Sequence, residues 1–202
     1  EAVDVETGNI TIKKSSDDST VETIDVTSEL VTGSGTTSIT INPATDLEES
    51  TQYYIQIDAT AFDDSSSNSY GGISDKTTLS FTTLDATIPT LDLASTTPTD
   101  NQIEVALNSD IVLAFSEAVD LETGNITIYD SSGNVFEQFD VATSPLITGS
   151  GSSSITIDPT SDFVHSTYYY VQIDATAFDD LAGLSYAGIN DTTSLSFRSK
   201  DE

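Results

Sequence analysis

Tyr169-Tyr-Val-Gln-Ile-Asp-Ala-Thr-Ala-Phe-Asp-Asp180 reads as a strand that runs out into an acidic loop. Tyr169, Val171 and Ile173 alternate with Tyr170 and Gln172, and a period of two in aromatic and β-branched residues marks a half-buried strand. The same stretch stands 116 positions upstream as Tyr53-Tyr-Ile-Gln-Ile-Asp-Ala-Thr-Ala-Phe-Asp-Asp64. Outward from it the match widens. Glu1-Ala-Val-Asp-Val-Glu-Thr-Gly-Asn-Ile-Thr-Ile12 returns as Glu117-Ala-Val-Asp-Leu-Glu-Thr-Gly-Asn-Ile-Thr-Ile128, and Thr32-Gly-Ser-Gly35 returns as Thr148-Gly-Ser-Gly151. Residues 1–86 thus reappear as 117–202. A period this long is a whole domain rather than one rung of a solenoid.

Two domains are expected, 1–86 and 87–202. The second holds a full period, while the first has no counterpart of Thr87–Ser116 ahead of Glu1. The first domain is therefore expected to be a sandwich without its opening strands. Those strands are either donated by a neighbour or lost at a fragment boundary. Within the complete copy, Ile111, Leu113 and Phe115 alternate with Val112 and Ala114, Ile126 and Ile128 flank Thr127, Ile155 and Ile157 flank Thr156, and Leu195 and Phe197 flank Ser196. Turn formers separate these runs: Pro98-Thr-Asp-Asn101, Ser131-Ser-Gly-Asn134, Thr148-Gly-Ser-Gly151 and Asp158-Pro159. No segment shows a helical period. About seven short strands in just over a hundred residues predict an all-β fold, two tandem Ig-like Greek-key β-sandwiches. The junction around Pro89 carries no Gly and reads as a stiff hinge.

The net charge is −29, from 34 acids against five bases. Nucleic acid is excluded as a partner, because its phosphates need Lys and Arg to replace counterions. Insertion into or attraction to an anionic membrane is not expected either. The acids stand singly and in pairs among apolar residues, so the chain is not a disordered acidic tail. Such charge opposes compaction unless salt or bound cations offset it. With no Cys there is neither a disulfide nor a thiolate metal site. A Lys–Asn cross-link is not expected, since Lys13, Lys14 and Lys76 are Tyr129, Asp130 and Thr192 in the second copy.

Several motifs coincide in 87–202: Ile88-Pro89, Thr97-Pro-Thr-Asp-Asn101, Ile111-Val-Leu-Ala-Phe-Ser-Glu-Ala-Val119, Gly124-Asn-Ile-Thr-Ile128, Tyr169-Tyr-Val-Gln-Ile-Asp174 and Leu195-Ser-Phe197. Together they resemble the bacterial Ig-like domains of the SbsA type, found in S-layer proteins and large repetitive surface adhesins. The resemblance covers 87–202 and, shortened, 1–86. It implies a spacer or building block outside the cell, in arrays that calcium often stiffens. The first copy departs from the pattern, because of the early motifs it keeps only Glu1-Ala-Val3.

Calcium takes six to eight oxygen ligands in flexible geometry, so acid-rich loops are the candidate sites. The loop after the Tyr-rich strand offers Asp174, Asp179, Asp180 and Asp191, matched by Asp58, Asp63, Asp64 and Asp75. The alternative for these residues is a solvated loop whose Asp side chains close Asx turns. A second group is Glu117 and Asp120 with Glu122, matched by Glu1 and Asp4 with Glu6; it joins the first if both loops lie at one pole of the sandwich, and is otherwise a charged connection. The junction acids Asp85, Asp92 and Asp100 are a weaker third group.

No catalytic constellation appears, and no enzyme is expected. His165 is the only His, with Glu49 in its place in the first copy, and no Gly-x-Ser-x-Gly turn opens a helix. Tyr168 and Tyr170 point outward on their strand and are either a sugar-stacking platform or cross-strand pairs. The expected function is a structural and adhesive module of a long extracellular surface protein or filament. Its partners are neighbouring repeats or subunits, with any glycan or cell-surface receptor reached through other domains. The alternative is a glycan-binding accessory module of a secreted enzyme.

Overall fold

Ile111, Leu113 and Phe115 are buried, while Val112 and Ala114 between them are half-buried, as a period of two on a strand requires. The computed structural model describes residues 1–202, and its strands fall into two units, Glu1–Asp85 and Ala86–Glu202, with no helix in either.

The second unit contains β9 (Gln102–Val105), β10 (Ile111–Leu121), β11 (Asn125–Asp130), β12 (Val135–Asp140), β13 (Ile147–Thr148), β14 (Ser152–Ile157), β15 (Tyr168–Ile173), β16 (Phe178–Asp180) and β17 (Ser196–Ser199). One sheet has the order β12-β11-β15-β17-β9 and the other β13-β14-β10-β16. Ile126, Ile128, Val171 and Phe197 of the first sheet share one core with Ile111, Leu113, Ile155 and Ile157 of the second, which is the layered arrangement of a β-sandwich. Phe136, Phe163, Tyr169 and Phe197 form an aromatic cluster in it, with ring centroids 4.8–5.5 Å apart. The unit thus has nine strands, against about seven expected. Its shortest, β9, β13 and β16, are two to four residues long, too short to show alternation, and β9 carries Glu104 at φ 60°.

Strand β10 serves two partners. On one side Ile111–Ala114 pair with β14, the register shifts between Ala114 and Val119, and Val119 then meets Ser152 of β14; on the other side Val119–Leu121 pair with β16. The irregular stretch between carries Ser116 and Glu117. A strand that breaks register re-aims its side chains at that point.

The first unit contains β1 (Val3–Val5), β2 (Asn9–Lys14), β3 (Thr20–Asp25), β4 (Val31–Thr32), β5 (Thr40–Ile41), β6 (Gln52–Ile57), β7 (Phe62–Asp64) and β8 (Ser80–Thr82). Its four-stranded sheet, β3-β2-β6-β8, repeats β12-β11-β15-β17. The opposing layer is two pairs, β1-β7 and β4-β5, because β1 matches only Val119–Leu121 of β10. In the second unit β9 pairs in parallel with β17, whereas β8 is an edge strand. Burial follows: Phe81 is 37% exposed and its repeat partner Phe197 1%; Leu79 is 39% exposed and Leu195 1%.

Candidate functional site

In three loops one oxygen of the first Asp accepts the backbone N–H groups two and four residues on. Asp130 Oδ1 accepts the N–H groups of Ser132 and Asn134 at 2.8 and 2.9 Å, and its Oδ2 accepts the Asn134 side-chain amide at 2.8 Å. Asp64 repeats this on Ser66 and Asn68, with all three bonds at 2.8 Å. The bonds from Asn68 and Asn134 hold both carboxyls below the usual carboxylate range. Asp180 makes the same two backbone bonds, to Ala182 and Leu184 at 2.8 Å. Leu184, however, has no amide to give. Asp180 is 4% exposed, and its Oδ2 is buried without a hydrogen-bond partner.

That carboxylate faces the register break of β10. A carboxylate oxygen of Asp180 and one of half-buried Glu117 lie within 4.8 Å of each other. The strand pairing brings further acids together. Asp120 stands directly opposite Asp179, and Asp4 opposite Asp63. Like charges at opposed strand positions repel. Asp120 Oδ1 accepts the Ser150 hydroxyl at 3.1 Å, which offsets part of its charge.

The remaining sequence candidates are engaged in local structure. Asp58 Oδ2 accepts the Asn9 backbone N–H at 2.8 Å, and Asp174 Oδ2 accepts that of Asn125 at 2.8 Å. Each clasps the Gly-Asn turn that starts β2 or β11. Asp191 Oδ1 accepts the N–H groups of Thr193 and Ser194 at 2.7 Å, and its Oδ2 the Ser194 hydroxyl at 2.6 Å. Asp75 does the same with Thr77 and Thr78. These bonds, the hydroxyl first, hold Asp75 and Asp191 well below the ordinary carboxylate value. Burial, and then the Asp191 charge, push the nearby Tyr186 hydroxyl up to about 12. Glu1 is exposed. The structure therefore pairs Asp180 with Glu117, Asp179 with Asp120 and Asp63 with Asp4, and gives Asp58, Asp174, Asp75 and Asp191 turn-closing bonds of their own. Of the junction acids, Asp85 bonds Ser50, Asp92 closes a turn with Ala94, and Asp100 bonds Ser196.

Sequence reading missed that Asp180 differs from the other acids around it. The signal was the spacing Asp-x-x-x-Asn, present at 64–68 and 130–134 and broken by Leu184. The outward tyrosines make cross-strand contacts. Tyr129 and Tyr170 are register partners with rings stacked at 5.0 Å, and Arg198 lies over Tyr168 at 5.7 Å. A shallow depression of about 510 Å³ beside Tyr168 and Tyr170 is rimmed by Ser131, Ser132, Thr192 and Ser196.

A family model described as a bacterial Ig-like domain matches residues 1–83 and 85–199. Among solved structures, CopC from Methylosinus trichosporium OB3b is similar at 15% identity and a TM-score of 0.39, over 56% of this chain and 95% of that one. The BSP domain of a biofilm associated protein is similar at 17% identity and a TM-score of 0.27, over 98% of this chain and 25% of that one. The chain thus spans about a quarter of the BSP-domain structure's length. No curated protein matches it. No helix is long and apolar enough to cross a membrane.

Proposed function

The chain belongs to the bacterial Ig-like domain family, and from that premise we propose that its two modules are structural and adhesive units of a long extracellular surface protein or filament. The carrying observation is the tandem match, which leaves only Leu84 between two domains of one family. Domains copied end to end supply reach and multivalency, and neither needs a catalytic group. On this reading the partners are neighbouring repeats or subunits of the same protein, and the place of action is the cell surface.

Calcium belongs to the same reading. The opposed pairs Asp4–Asp63 and Asp120–Asp179 hold like charges together on a chain with 34 acids. Divalent cations on these loops relieve that repulsion and bind only the folded state, which raises stability by mass action. Thermal melting across millimolar calcium, with and without a chelator, tests this. A rise of the midpoint with calcium is expected, and an unchanged midpoint removes the stiffening role.

A second reading concerns how repeats join. The open β8 edge and the exposed Phe81 and Leu79 favour strand addition by a segment patterned like Gln102–Ser116, from a neighbouring repeat or subunit. Mixing the chain with a peptide of that sequence should protect the amides of Ser80–Thr82 from exchange. Unprotected amides at saturating peptide argue against it.

A further inference from the structure

The oxygen left over on Asp180 separates the two repeats chemically. In the first repeat and in the β11–β12 turn, an Asn four residues on fills the second oxygen of the loop Asp; at the β16 turn Leu184 cannot. A buried ionised oxygen without a donor is costly, and a cation is the partner that offsets it most directly. No ion pair reaches Asp180. Of the second unit's two bases, Arg198 is engaged by Glu104 and Asp201, and the other is the exposed Lys200 near the chain end.

We propose that Glu117 and Asp180 form a binding site for a divalent, oxygen-seeking cation, placed between the register break of β10 and the β16 turn. Two calcium–oxygen bonds of about 2.3–2.6 Å each span roughly 4.6–5.2 Å end to end, and the two carboxylates present oxygens within 4.8 Å of each other. Asp180 Oδ2 and a Glu117 carboxylate oxygen are the protein ligands, and water supplies the rest from the half-buried Glu117 side. The bound ion ties the register break of β10 to the β16 turn, so this stretch of β10 is held by a charge contact as well as by the Val119–Asp180 pairing. This deepens the calcium reading of the preceding subsection and rests on it. It assigns that effect to one site in the second repeat.

The test is calorimetric titration of the full chain with calcium chloride, with melting curves alongside. Leu184→Asn restores the amide that Asn68 supplies in the first repeat, without changing any charge; Glu117→Gln removes one ligand charge. Each variant should lose one binding site, by a drop in affinity of at least tenfold, while the calcium-free midpoint of Leu184→Asn stays the same or rises. If both variants bind calcium with wild-type stoichiometry and affinity, the placement is overturned and the calcium reading stands. If the wild-type chain binds none at millimolar concentration, both are overturned.

Discussion

The Tyr169 hydroxyl accepts the backbone N–H of Val164 at 2.9 Å, pinning the loop five residues upstream to the buried aromatic cluster. In the first repeat Tyr53 accepts the N–H of Glu48, also at 2.9 Å. The side chain is thus a core residue and a loop anchor at once. Tyr169→Phe keeps the packing and leaves the Val164 donor without its partner, so a loss of about 1–2 kcal/mol is expected. Urea unfolding should show a lower midpoint at unchanged slope, and the same holds for Tyr53→Phe.

Gly149 stands at φ 104°, and a Cβ there would meet the Ser154 carbonyl oxygen at 2.2 Å. Backbone cannot step aside as a side chain can. Gly149→Ala should cost roughly 3 kcal/mol, from strain plus clash. Gly133, at φ 81°, has only the Tyr170 hydroxyl near that position, at 4.0 Å. Gly133→Ala should cost about 1 kcal/mol from its backbone conformation alone. Equal losses in the two variants would show that conformation, not the clash, governs the Thr-Gly-Ser-Gly turn.

Asp191 and Asp75 are held below the ordinary carboxylate value by hydroxyl and backbone donors. A lowered carboxyl contributes stability that is fully present above its unfolded value and is lost as pH falls toward its folded one. The melting midpoint should therefore drop below about pH 4. Asp191→Ala should lower it at pH 7, and the gap to wild type should narrow steadily as the pH is brought from about 4 to about 2. A gap that stays constant over that range contradicts the assignment.

Phe197 and Phe81 occupy the same place in the two repeats, yet one is 1% exposed and the other 37%. Phe197→Ala should cost about 3–5 kcal/mol and Phe81→Ala much less. The first unit also has by far the smaller set of buried core residues. Hydrogen exchange in rising denaturant should show Ile10, Ile12 and Ile24 opening before Ile126, Ile128 and Val171.

Much of the architecture was legible in the residues alone. The 116-residue duplication and the alternation of Ile111, Leu113 and Phe115 specify two half-buried β-layers, because on a strand the side-chain period dictates which face meets the core. Short pieces such as β9, β13 and β16 were not legible, since two to four residues held by backbone bonds leave no pattern. The candidate site was half legible: both acid groups could be read from composition and spacing, but not which members meet. Glu117 and Asp180 are more than sixty residues apart and come together only because β10 breaks register and takes β16 as its second partner. Whether an Asp is a solvated turn-closer, like Asp191, or a buried carboxylate with a free oxygen, like Asp180, depends on the donors folded around it. Local sequence sets the turn, while only packing in three dimensions removes the water that would otherwise satisfy the second oxygen.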